Sequence, residues 1–88
     1  MKIKEGFVLR QVADATIVVP SGKASLDFNG MITLNDTGAF LWKLLESPTT
    51  PEKMLAEMLK EYDVDEDTAR RGIERFIAKL SGEGLLEE

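Results

Sequence analysis

A strand-like period marks the first third of the chain, and a helical period marks the rest. Phe7-Val8-Leu9-Arg10-Gln11-Val12 is a β-type run, and Thr16-Ile17-Val18-Val19 is four β-branched residues closed by Pro20. The short step Ala13-Asp14 between them predicts an antiparallel hairpin. Asn29-Gly30 tolerates φ > 0 at both positions and marks a turn, after which Met31-Ile32-Thr33-Leu34 reads as a third strand. Residues 21–29 otherwise read as loop, Ser25-Leu26-Asp27-Phe28 included.

Three helices are expected next. Asn35 or Asp36 caps the first, whose run Ala39-Phe40-Leu41-Trp42-Lys43-Leu44-Leu45 is apolar nearly all round and so belongs at the centre. Gly38 weakens its first turn by up to about 1 kcal/mol against alanine unless close packing requires the missing side chain. Thr50 caps the second helix, with Pro51 at its first position and an apolar stripe of Met54, Leu55, Met58, Leu59 and Tyr62. The third runs from about residue 65 to 80 on a core face of Ala69, Ile73, Phe76 and Leu80. Gly82 and Gly84 terminate it, and Leu85-Leu86 folds back as an apolar anchor. Three strands and then three helices make one α+β domain over residues 1–88, winged-helix-like, with an N-terminal three-stranded antiparallel sheet followed by a three-helix bundle.

Composition narrows the chemistry. The 88 residues contain no cysteine and no histidine, so a thiol nucleophile, a thiolate metal site and the commonest general base are all missing. No apolar run reaches the ~20 residues that span a bilayer, and the first residues lack the apolar core of a signal peptide. A cytoplasmic, cofactor-free, non-enzymatic domain with no membrane partner is the leading class. The formal charge of −5 repels polyanions on average, which also argues against nucleic acid.

Two clusters invite a sharper assignment. Asp63-Val64-Asp65-Glu66-Asp67 with Glu74 imitates a calcium loop, but Thr68 stands where the sharp turn needs glycine and Arg70 where an apolar residue belongs. A cap and an acidic first turn complementing the helix dipole explain the segment better. Arg71, Arg75 and Lys79, spaced four apart on the third helix, are what a helix-turn-helix protein would set on DNA; a solvated face balancing the neighbouring acids is the plainer alternative. A structural subunit of an enzyme complex is a further alternative.

The third strand holds the remaining candidate. As the last strand of its sheet it leaves one edge free to template an added strand. A helix flank of Arg70, Glu74, Ile77 and Ser81 nearby would complete a groove for an extended peptide. The residues alone weigh this equally against a merely open edge with Ile77 as peripheral core.

The segment Asn29-Gly30-Met31-Ile32-Thr33-Leu34-Asn35-Asp36-Thr37-Gly38-Ala39-Phe40-Leu41-Trp42-Lys43-Leu44-Leu45 resembles the signature of PqqD-like proteins (coenzyme PQQ synthesis protein D), in which Leu-Asn-Glu-Thr-Gly-Ala leads into an apolar helix. Thr50-Pro51-Glu52, Glu61-Tyr62-Asp63-Val64-Asp65 and Gly84-Leu85-Leu86 continue the resemblance in order; Asp36 stands where glutamate is commoner. The region before Asn29 is closer to stand-alone PqqD-like proteins than to members of the PQQ pathway. The resemblance implies a recognition element that binds the leader of a ribosomally made precursor peptide and presents it to a modifying enzyme, often a radical SAM protein. It also implies that the leader adds beside the third strand, against the third helix. Carried onto this chain, the edge is Met31, Ile32, Thr33 and Leu34, and the helix wall is Arg70, Ile73, Glu74 and Ile77.

Overall fold

The computed structural model describes residues 1–21 and 32–87. Strand β1 (Lys2–Ile3) comes first, followed by the hairpin β2 (Phe7–Val12) and β3 (Ala15–Pro20), then β4 (Ile32–Leu34). Helices α1 (Asp36–Leu45), α2 (Pro51–Glu61) and α3 (Glu66–Gly82) follow, and β5 (Leu86–Glu87) closes the chain. The architecture is the expected α+β one, a three-stranded antiparallel sheet followed by three helices. The expected turn at Asn29-Gly30, the loop at residues 21–29 beyond Ser21, and Met31 as a strand residue lie outside the described residues.

In the sheet, β3 is central. It pairs along its length with β2, from Phe7 opposite Pro20 to Val12 opposite Ala15, and on its other side with β4, from Thr16 opposite Leu34 to Val18 opposite Ile32. Only two residues, Ala13 and Asp14, connect the hairpin, and Ala13 takes φ 54°, the left-handed conformation such tight turns demand. Side chains alternate along β4 as a half-buried strand requires: Ile32 and Leu34 face the core and Thr33 faces out.

Caps and glycines set the helix limits. Asn35 accepts a hydrogen bond on Oδ1 from the N–H of Gly38 at 2.8 Å, and Thr50 accepts on Oγ1 from the N–H of Lys53 at 3.2 Å. Asp65 occupies the third cap position without a side-chain bond. At the far end of α3, Gly84 takes φ 76°; its N–H donates to the Ser81 carbonyl at 3.0 Å and that of Leu85 to the Leu80 carbonyl at 2.9 Å. This paired arrangement around a left-handed glycine buries Leu80 and Leu85 completely.

Leu41, Trp42 and Leu45 of α1, Met54 and Met58 of α2, Ile73 and Leu80 of α3, and Val18, Ile32 and Leu34 of the sheet form one core. Phe40 meets Tyr62 edge-on, with ring centroids 5.4 Å apart, and joins α1 to the end of α2. Phe76, expected in the core, is half-buried, and Leu59, expected on the α2 stripe, is exposed. One pairing was not anticipated: β1 and β5 form a two-stranded antiparallel sheet in which the Lys4 N–H donates to the Leu85 carbonyl at 2.8 Å. Two-residue strands are too short to show a period in sequence.

Candidate functional site

Strand β4 is hydrogen-bonded to β3 on one side, and among the described residues no strand pairs with its outer edge, where N–H and C=O groups can template an added strand. Beside that edge a cleft of about 290 Å³ opens between β4, the first turn of α1 and the flank of α3. Thr33 and Leu34 form its strand side, Gly38 and Leu41 its floor, and Gly72, Arg75, Phe76 and Lys79 its helix wall.

Local sequence explains the shape. Asn35, by capping α1, turns the chain sharply out of β4 and brings the helix N-terminus to the cleft. At Gly38 a β-carbon would stand 3.2 Å from Asn35 Oδ1 and 3.4 Å from both Leu34 Cβ and Phe76 Cε1. A side chain at Gly38 would thus be tight against the cap, and the Asn35 side chain would have to give by a few tenths of an ångström. On α3, Gly72 and Phe76 form one i,i+4 row and Arg75 and Lys79 the next, so all four share a face.

The expected residues divide. Ile32, Thr33 and Leu34 are at the open edge, and Met31 lies outside the described residues. Ile73 is buried in the core behind the wall, at 2% exposure. The structure does not bring Arg70, Glu74 and Ile77 to the cleft: they lie beyond the Ala69–Ile73–Leu80 stripe, on the flank of α3 turned away from β4. There Arg70 Nη2 pairs with Glu66 Oε2 at 3.2 Å, and Ile77 is half-buried against the core. Ile77 thus packs at the margin of the core, outside the lining of the cleft.

The wall residues absent from the expected set do carry a signal in the sequence: Arg75 and Lys79 belong to the outward basic row Arg71, Arg75 and Lys79, and Phe76 to the expected core face. Placing them beside β4 required knowing which way α3 rotates over the sheet, and that follows from long-range packing.

Electrostatics single out the same pair. Arg71 Nε donates to its own helix, at the Asp67 carbonyl (3.4 Å), and Arg70 is taken by Glu66, whereas the side chains of Arg75 and Lys79 have neither an ion pair nor a hydrogen bond among the described residues. Among the described residues no acidic side chain lines the cleft. Among the described residues no cluster of acidic side chains could hold a metal ion, and α3 begins at Glu66, which straightens the segment that imitates a calcium loop.

The profile of the family described as Coenzyme PQQ synthesis protein D (PqqD) matches residues 16–86. Two solved structures are similar over nearly the whole chain. One is described as "TbiB1 in Complex with the TbiA(beta) Leader Peptide": 28% identity, TM-score 0.76, covering 99% of this chain and 95% of that one. The other is "Lasso peptide synthetase B1 complexed with the leader peptide": 18% identity, TM-score 0.74, 99% and 96% coverage, a likeness of fold. No curated protein sequence matches the chain.

Proposed function

Starting from the fact that this chain belongs to the PqqD family, we propose that it is a non-catalytic recognition element for the leader of a ribosomally synthesised precursor peptide. The leader adds as a strand along the free edge of β4, lays its side chains into the cleft against α3, and is handed to a modifying enzyme, a radical SAM protein or another leader-dependent enzyme. One observation carries this: among the described residues the outer edge of β4 pairs with no strand and abuts a cleft walled by α3. The solved relative at 28% identity, a leader-peptide complex by its description, supports the same assignment.

Magnitudes decide how the work is shared. A three-residue edge offers two or three backbone hydrogen bonds, together about 1–4 kcal/mol net. A micromolar complex needs about 8 kcal/mol. Backbone pairing therefore sets register, and side chains seated over Leu41 and Phe76 supply most of the affinity. Exchange of partners favours such a division, since a carrier has to release its cargo.

The test is amide exchange by NMR on the full chain, with and without synthetic leader segments of ribosomal precursor peptides, the TbiA(beta) leader among them. Expected are protection of the outward amides of β4 and chemical-shift changes at Gly72 and Phe76. Binding that leaves both unchanged would overturn the proposal, as would no binding at all.

A further inference from the structure

A second cleft, of about 420 Å³, lies where the end of α2, the start of α3 and the cap of α1 meet. It shares Asn35, Thr37 and Gly72 with the cleft beside β4. A β-carbon on Gly72 would meet nothing within 4 Å, so the missing side chain leaves an open saddle between the two. The two ends differ in chemistry. Arg75 and Lys79 line the first, and among the described residues their side chains have no partner and no acidic side chain shares that lining. Met58, Tyr62 and Val64 line the second, with Asp63 as its charged group. Tyr62 is held edge-on by Phe40, which fixes one wall of this apolar end.

Building on the proposed recognition of a leader peptide, the geometry points to a two-part code in that peptide. An acidic side chain faces Arg75 and Lys79, and a large apolar side chain, about four residues along, crosses the Gly72 saddle into the second cleft. The spacing follows from the helix: from the Arg75–Lys79 level to the Thr68–Ala69 level of α3 is roughly 13 Å at about 1.5 Å per residue. That is about four residues of extended peptide. Charge complementarity fixes the orientation. An acid is drawn to the basic end and repelled from Asp63, and the chain's overall charge of −5 repels it elsewhere. With a Debye length of about 10 Å at 0.1 M salt, discrimination falls to groups in direct contact.

The experiment pans a display library of random peptides, long enough to cross both clefts, against the full chain at about 0.1 M salt. Selected peptides are then measured on the unaltered chain, on Arg75→Gln/Lys79→Gln, on Gly72→Trp and on Gly72→Ala. Expected is enrichment of Asp or Glu with Phe, Tyr, Leu or Met three to five positions away. The double variant should lose about tenfold for acidic peptides and nothing for their Asn or Gln counterparts, the behaviour of a charge-assisted contact. Gly72→Trp should cost a similar factor by closing the saddle, and Gly72→Ala should cost nothing. Selected peptides that protect β4 yet lack an acid, or bind the double variant equally, overturn the code and leave leader recognition standing. Occupation of the clefts by a second copy of this chain, seen as dimerisation that excludes peptide, also overturns it. Failure of every selected peptide and of every synthetic leader segment to protect β4 ends both proposals.

Discussion

The first turn of α1 packs closely on α3 at Gly38 and Phe76: a β-carbon on Gly38 would stand 3.4 Å from Cε1 of Phe76 and 3.2 Å from the cap oxygen of Asn35. Gly38 and Phe76 thus define the floor and wall of the cleft together. Gly72, one turn before Phe76 on the same row, has open space where its side chain would be. Both glycines are helical, yet they should respond oppositely to alanine. Gly72→Ala should gain about 0.5–1 kcal/mol from helix propensity. Gly38→Ala should lose about 1 kcal/mol, because the gain in propensity is outweighed by displacement of Phe76 and of the cap. Urea denaturation of both variants checks the pair, and equal shifts would mean that α1 and α3 are farther apart than described here.

At the tip of the β2–β3 hairpin, Ala13 takes φ 54°. A β-carbon in the left-handed region costs roughly 1–2 kcal/mol, part of which glycine recovers after its own larger loss of chain entropy. Ala13→Gly should therefore stabilise the chain by about 0.5–1 kcal/mol, a rise in Tm of several degrees for a domain of this size. The turn is exposed and far from the cleft, so peptide affinity should not change. Calorimetry with a binding titration reads both quantities.

How far the sequence reaches is visible at α3. Its buried face follows from a local rule, the spacing of Ala69, Ile73, Phe76 and Leu80; Ala69, Ile73 and Leu80 are buried as that spacing requires, and Phe76 is half-buried. Its caps came from local chemistry too, in Gly84 at one end and the acidic first turn at the other. The wall facing β4 did not. Residues 70, 74 and 77 and residues 72, 75, 76 and 79 flank the same stripe on opposite sides, and nothing local says which flank meets the sheet. Only the angle at which α3 packs over β4 decides that, and the angle depends on Gly38, thirty-odd residues earlier in the chain. The β1–β5 pairing escaped notice for a related reason, since Ile3 and Leu86 meet only once the whole chain is folded.

Strand addition at β4 makes a prediction about the peptide that leaves this chain untouched. In an antiparallel or parallel ladder only alternate N–H groups of the guest point toward the host strand. An N-methyl scan through the bound segment of the leader should give losses of about 2- to 10-fold at every second position, the worth of one backbone hydrogen bond each. Intermediate positions should tolerate methylation unless their side chain enters the cleft. A flat profile, or losses confined to side-chain substitutions, would point to a guest held by its side chains alone. Isothermal titration on the scan distinguishes these outcomes.

Trp42, the sole tryptophan, supplies a built-in reporter of the core beneath the cleft. Its side chain is fully buried and its indole Nε1–H has no hydrogen-bond partner among the described residues. An unpaired buried donor costs about 1–3 kcal/mol, so the ring is kept there by packing. Two consequences follow. Emission should be strongly blue-shifted and resistant to iodide, and should change little on peptide binding, because Trp42 does not line the cleft. Trp42→Phe should cost less than the 3–5 kcal/mol usual for emptying such a site, about 1–2 kcal/mol, since the smaller ring leaves a void but removes the unpaired donor. A red-shifted, quenchable spectrum would show that α1 is not the central helix, and a loss in Trp42→Phe as large as in Trp42→Ala would show that the indole N–H is bonded after all.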